Sequence, residues 1–257
     1  MTVQVGTSGW QYADWRGGFY PESMPQRRWL EHYAVNFACV EVNNTFYRLP
    51  TEDVFAQWRQ RTPPGFHLAL KLSRYISHIR RLHDTAASMA MFLDRAAPLG
   101  DRLGPLLLQL PPTLEVDVAR LGDTLAAIPG RYRIAVEVRH PSWFRGDVMD
   151  LLARRDAALC LTDRQGMPQE PLRATASWGY LRFHQGSASS WSYAEPDLRA
   201  WASRLLELWG VDAEVYAFFN NDSHCAAVGD AVSFARLCTA AGLAVSRVPA
   251  AEVVHLT

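Results

Sequence analysis

Eight short runs rich in β-branched and aliphatic residues recur along the chain, at residues 3–7, 39–43, 66–71, 105–110, 133–138, 157–161, 180–183 and 214–219. Helix-like stretches follow seven of them, at 26–36, 52–61, 85–97, 117–128, 147–155, 196–209 and 230–241. Strands alternating with helices are the pattern of βα units, whose strands run parallel in one sheet. Eight such units in strict order favour closure into a TIM-like (β/α)8 barrel, parallel and eight-stranded. The exception is the sixth connection, residues 162–177, where Pro168 and Pro171 interrupt a charged stretch that reads as a loop.

Length and composition agree with this architecture. The chain has 257 residues, close to the roughly 250 of a typical barrel, so residues 1–257 are read as a single (β/α)8 barrel domain. Hydrophobic residues make up 49% of it, enough for a large core. Lysine plus arginine and aspartate plus glutamate number 26 each, so no overall field draws the protein to nucleic acid, which is an unfavoured partner, or to an acidic membrane. No basic segment followed by an apolar run opens the sequence, and no stretch approaches the roughly 20 apolar residues of a membrane span. A cytoplasmic protein with no membrane partner is expected. Cys39, Cys160, Cys225 and Cys238 lack CxxC spacing, and buried thiols are the simplest reading.

Alternate side chains of a barrel strand face the interior and the helices. With Val40 and Val42 facing the helices, Cys39, Glu41 and Asn43 face inward. The same parity turns His67, Ala69 and Lys71 inward on the third strand, Gln109 on the fourth, Ala135, Glu137 and Arg139 on the fifth, and Tyr180, Arg182 and His184 on the seventh. Gln4, Gly6 and Ser8 face inward on the first, and Asn220 closes the last, whose parity is ambiguous. Polarity rises toward the carboxyl ends of the strands, the end at which barrel enzymes build their sites.

Buried charges are costly unless paired, so Glu41 and Glu137 either neutralise Lys71, Arg139 and Arg182 in a structural network or line a functional site. Three cations against two carboxylates favour an anionic small-molecule ligand. Arg139 and Arg182 offer planar forks for phosphate or carboxylate, and Lys71 offers a point charge. Glu41, Glu137 and His184 are the candidate catalytic groups for proton transfer. Ser8, Trp10, Asn43, Lys71, Gln109, Arg139, His140, Arg182 and Asn220 are the candidate substrate-binding residues.

Other features carry bland alternatives. The turn Gly6-Thr7-Ser8-Gly9-Trp10 suits backbone approach to an anion or merely a tight strand exit. Trp10, Tyr12, Trp15, Phe19 and Tyr20 suit stacking on a base or sugar, or sealing of the barrel. His140 follows the fifth strand over the mouth, as ligand, proton shuttle or cap. His78 and His83, beside Arg74, Arg80 and Arg81, read as a solvated basic face in preference to a phosphate site. A divalent metal held by Glu41, Glu137, His140, Asp163 and His184 is the alternative cofactor, with no metal ligand assigned, because HxH and HExxH spacings are absent and three cations repel a metal.

Six segments, taken in order, carry a resemblance: Gly6-Thr7-Ser8-Gly9-Trp10, Phe19-Tyr20-Pro21, Val40-Glu41-Val42-Asn43-Asn44-Thr45-Phe46-Tyr47, Leu110-Pro111-Pro112, Glu137-Val138-Arg139-His140-Pro141-Ser142-Trp143 and Tyr216-Ala217-Phe218-Phe219-Asn220-Asn221-Asp222. They run through nearly the whole chain and resemble the YecE-like family, a family of unknown function. The resemblance implies a TIM-barrel-like fold and brings no established activity, cofactor or catalytic residue. The chain departs from the family in reading His184-Gln185-Gly186 where His-Gly is usual, and Ser77-His78 where Thr-His is usual.

Three functions follow. The first is an enzyme using acid/base chemistry on a phosphorylated or carboxylated small molecule in a cationic pocket at the carboxyl face of the barrel. The second is a metal-dependent phosphodiester hydrolase resembling endonuclease-IV-like barrels, a fold-level analogy. The third is a non-catalytic module that binds an anion or a partner.

Overall fold

Residues 3, 5, 40, 42, 68, 70, 106, 108, 134, 136, 159, 161, 181, 215, 217 and 219 are aliphatic or aromatic and buried among the helices, and this single-parity stripe is what holds each strand in register. The computed structural model describes residues 1–169, 171–186 and 190–254. Its strands are β1 (Thr2–Thr7), β2 (Cys39–Val42), β3 (His67–Lys71), β4 (Leu103–Gln109), β5 (Ile134–Glu137), β6 (Ala158–Arg164), β7 (Met167–Pro168), β8 (Gly179–Phe183), β9 (Glu214–Phe219) and β10 (Ala244–Val245). Every expected strand is present, and two short ones are added. The main helices are α1 (Trp29–Asn36), α2 (Asn44–Tyr47), α3 (Glu52–Gln60), α4 (Ala86–Ala96), α5 (Val118–Ala126), α6 (Gly146–Arg154), α7 (Glu195–Trp209) and α8 (Ala226–Ala240).

The strands form one curled sheet in the order β10-β1-β9-β8-β6-β5-β4-β3-β2, parallel throughout except for β7, which folds back antiparallel onto β6. The sixth connection contains no helix among the described residues. Instead β6 runs on to Arg164 and turns through Gln165 and Gly166 into β7.

No ladder joins β1 and β2 among the described residues, so the sheet is a curled, parallel one flanked by helices. The reason is local. At the amino-terminal half of β1, residues 244–246 take its free edge: β10 pairs with Thr2 and Val3, and Ser246 donates its N–H to the Val3 carbonyl. The Ser246 hydroxyl also accepts the Val5 N–H. Higher up, Gly6 lies so near the Cys39 carbonyl that a Cβ there would sit 2.4 Å from its oxygen. The Tyr33 hydroxyl, from α1, bridges the seam by accepting the Thr7 N–H at 3.0 Å and donating to the Cys39 carbonyl at 3.2 Å.

Inside the curl, β2, β3, β5 and β6 contribute the small side chains Cys39, Ala69, Ala135, Ala158 and Cys160, while β8 and β9 contribute Tyr180, Tyr216 and Phe218. Large rings from one side fill the space that small residues leave on the other, as close packing requires. The parity left open for the last strand is thereby settled, with Tyr216 and Phe218 inward and Val215, Ala217 and Phe219 outward. All four cysteines are free and buried. No helix among the described residues is long and apolar enough to cross a membrane.

Candidate active site

Above the aromatic layer, inward-facing residues of five strands meet at the carboxyl end of the sheet. Arg182 of β8 is their centre: its Nη2 donates to Glu41 Oε1 at 2.8 Å and its Nη1 to Glu137 Oε2 at 2.6 Å. The three side chains are 2% exposed or less. Tyr180 gives its hydroxyl proton to the second Glu41 oxygen at 2.7 Å. Glu137 is served further by Gln109, whose Nε2 lies 2.9 Å from both carboxylate oxygens, and by Arg139 Nε at 2.9 Å. Pairing of Gln109 with Glu137 in the β4–β5 register places these two together.

Electrostatics follow from the packing. Burial alone would raise the Glu137 carboxyl, but the charges of Arg182 and Arg139 and the Gln109 bond outweigh it and hold the group well below the usual carboxylate range. Burial drives His184 down to about 3, with Arg182 adding to the effect, so the imidazole is neutral at pH 7. Its Nδ1 lies 3.4 Å from Asn220 Nδ2, which as an amide nitrogen only donates. The ring proton therefore sits on Nε2, which faces Glu137 Oε1 at 3.8 Å.

Two depressions open over this floor. One, of about 490 Å³, is lined by Glu137, Arg139, Thr162, Arg164, Gln165, Gln169, Pro112 and His184. The other, of about 140 Å³, is lined by Ser8, Gly9, Trp10, Gln11, Tyr12, Val42, Asn43 and Asn44. Asn220 joins them, since Asn43 Nδ2 approaches Asn220 Oδ1 at 3.4 Å. In the smaller depression Ser8 Oγ and Asn43 Oδ1 are buried without a hydrogen-bond partner among the described residues. A groove of about 510 Å³ beside α1, lined by Pro21, Met24, Arg28 and His32 among others, gathers none of these groups.

Ser8, Asn43, Glu41, Gln109, Glu137, Arg139, Arg182, His184 and Asn220 are thus brought together. Lys71 ends β3 nearby, its Nζ 4.3 Å from the centre of the Phe46 ring. Trp10 is buried and meets Trp58 edge to face, with its ring at the wall of the smaller depression. His140 lies apart from both cavity linings: its Nδ1 accepts from the Ser142 N–H and hydroxyl, and it caps the turn Pro141–Trp143. Asp163 turns outward, its Oδ2 accepting from Trp201 of α7 at 2.7 Å. Among the described residues no three His, Cys, Asp or Glu side chains gather as a metal would need. Trp15, Phe19 and Tyr20 are buried, and Tyr20 stacks on Trp29 at 4.7 Å, so these rings seal the sheet.

The parity argument missed Thr162 and Arg164, because the sixth strand runs three residues past its apolar stretch. The basic charge pattern of residues 74–83 read His78 as part of a solvated face. The ring is half-buried and packs edge to face on Phe46 at 4.9 Å. Burial lowers its basicity, and Lys71 and Arg139 lower it further. The signal was available in Phe46, in the turn of α2 that follows β2, and in Lys71, at the end of the adjacent β3.

The family model described as "Protein of unknown function DUF72" matches residues 4–253. The chain is 35% identical over 144 residues to the UPF0759 protein YecE of Escherichia coli K12, a match covering 55% of this chain and 50% of that one. The chain therefore spans about half the length of that relative. It is 24% identical over 258 residues to the UPF0759 protein YunF of Bacillus subtilis, covering 86% of this chain and 89% of that protein. Among solved structures, a DUF72 protein of Thermotoga maritima superposes with a TM-score of 0.82 at 28% identity, covering 93% of this chain and all of that one. One from Enterococcus faecalis superposes with a TM-score of 0.77 at 20% identity, covering 92% and 95%. By the match of its whole length, the chain belongs to the DUF72 family, the YecE-like family that its motifs resemble.

Proposed function

We propose that the protein is an enzyme acting on an anionic small molecule, phosphorylated or carboxylated, by acid/base chemistry at the mouth of a TIM-like eight-stranded barrel that residues 1–257 form as one domain. The observation that carries this reading is the charge of the larger depression. Both carboxylates of the floor are paired with Arg182, so Arg139 and Arg164 line a cavity whose one acid, Glu137, is already committed to Arg182 and Arg139, and the Lys71 amine is near enough to feel the charges of Arg182 and Arg139. Arg139 meets Glu137 through Nε, which leaves the outer edge of its guanidinium to face a ligand. A cavity of about 490 Å³ suits a metabolite-sized molecule.

In this reading Glu41 and Glu137 hold Arg182 and orient the site. A carboxylate kept as far down as Glu137 is a weak proton acceptor at neutral pH, and an imidazole held near 3 such as His184 is a weak one too, so proton transfer falls to Lys71 while His184 positions the ligand. The metal-dependent hydrolase is less well supported, because the carboxylates it would use are committed to Arg182 and Asp163 faces α7.

The test is the melting temperature of chelator-dialysed protein, titrated with inorganic phosphate and separately with manganese. Phosphate raises it by linkage, and Arg139→Ala with Arg164→Ala abolishes the rise. Stabilisation by manganese alone would overturn the reading in favour of the hydrolase.

A further inference from the structure

Of the 26 basic residues other than histidine, 25 are arginine, and the one lysine of the sequence is Lys71. A protein that uses arginine at every surface position keeps lysine at the carboxyl end of β3, beside Arg139 and Arg182. The two side chains are not interchangeable there: a guanidinium binds anions at least as well, but it stays charged and cannot act as a nucleophile, whereas an amine can do both. A role confined to anion binding would be met by arginine.

The surroundings of Lys71 point the same way. The residue is 7% exposed, and among the described residues it forms no ion pair, because both carboxylates of the site are bound to Arg182. Its Nζ rests on the face of Phe46. We propose that Lys71 is the nucleophilic amine of this enzyme, forming an imine with the carbonyl carbon of an aldehyde or ketone that also carries a phosphate or carboxylate. The inference rests on the anionic-ligand reading above and narrows its substrate class.

The step balances without an outside reagent. The neutral amine gives its lone pair to the carbonyl carbon, forming the C–N bond while the C=O π pair moves to oxygen. Proton transfer from nitrogen to that oxygen gives a carbinolamine, and loss of water leaves the imine, which takes up a proton at nitrogen. The cationic imine then draws electron density from the adjacent carbon, where a bond to hydrogen or carbon is weakened, and the anionic group of the substrate meets Arg139.

Charges on every side tune the amine. Burial lowers its basicity, Arg182 and Arg139 lower it further, and Glu41 and Glu137 oppose them, for a net fall to about 8. His78 meets the same Phe46 ring edge to face. About a tenth of the amine is then neutral at pH 7, against less than about 0.1% for an ordinary lysine.

Because the sequence has one lysine, the amino-terminal α-amine is the internal reference. The native protein is treated at pH 7.5 with glyoxylate, the smallest anionic aldehyde, and sodium cyanoborohydride, which reduces any imine to a stable amine, and the adducts are located by mass spectrometry. Lys71 is expected to label within tenfold of the α-amine, whereas a lysine of ordinary basicity lags by about 300-fold. Inorganic phosphate slows labelling of Lys71 alone, and Lys71→Arg loses the internal adduct while its melting curve stays cooperative. Labelling confined to the α-amine, with phosphate still raising the melting temperature, overturns the imine and leaves the anion site standing. Labelling of Lys71 with no thermal response to phosphate keeps the imine and removes the anion site.

Discussion

Arg182 Nη1 lies 2.6 Å from Glu137 Oε2, with both side chains 2% exposed, and the other arm of the same guanidinium holds Glu41 at 2.8 Å. A single cation therefore ties β2, β5 and β8 together across the interior. Breaking a buried pair on one side leaves an uncompensated charge and costs about 3–5 kcal/mol. Arg182→Ala is expected to lose that much in urea unfolding at pH 7, since it strands two carboxylates. A loss below about 1 kcal/mol would show that the network does not hold the strands.

The Tyr33 hydroxyl bridges the seam between β1 and β2. Tyr33→Phe removes the acceptor of the Thr7 N–H and the donor to the Cys39 carbonyl, leaving buried backbone groups unmatched at about 1–3 kcal/mol. Denaturant unfolding of the variant measures this directly. An unchanged midpoint would mean that the strands meet without the bridge.

Acid and alkali act on different groups. His184 is depressed to about 3 from 6.5, by burial first, so as pH falls below about 6.5 the unfolded chain takes up a proton that the folded one refuses, and stability is lost until about pH 3. His184→Gln is expected to show a shallower loss across this window by about one proton. A slope equal to that of the parent would place the ring in water.

Asp230 behaves in the opposite sense. Burial pushes its carboxyl up to about 7 from 3.8, against the bonds it accepts from Tyr193 and Asn221. Between those values the folded state keeps a proton that the unfolded state has released, so stability falls as pH rises from about 4 to 7. Asp230→Asn keeps an oxygen for both donors and removes the decline, so its advantage over the parent grows between pH 5 and pH 8, by up to about 2.5 kcal/mol. Urea titrations at the two pH values check it, and a constant difference would refute it.

Ser8 is 1% exposed and its hydroxyl has no partner among the described residues. A buried polar group left unmatched is a cost that the fold carries. Ser8→Ala is therefore expected to keep or raise the melting temperature of the ligand-free protein. A fall equivalent to more than about 1 kcal/mol would show that the hydroxyl is already satisfied.

Period and parity, which are local properties, were enough to find the strands, the inward set and the end of the sheet that carries charge. Leu68 and Leu70, or Ile134 and Val136, orient their strands whatever lies opposite, because a side chain on a pleated strand can face only one of two ways. Glu41, Gln109, Glu137, Arg182 and His184 could be named from that rule alone. What it could not supply is who pairs with whom. That Arg182 takes both carboxylates and leaves Lys71 without one among the described residues depends on β2, β5 and β8 meeting across the interior, from positions more than a hundred residues apart in the case of Glu41. The open seam at β1 was equally hidden, since residues 244–247 reach it only after the chain has gone round the sheet. Asp163 continues the outward parity of Leu159 and Leu161 and meets Trp201, whereas His140 lies past the end of β5, where no apolar pattern orients it and its neighbour Ser142 holds the ring.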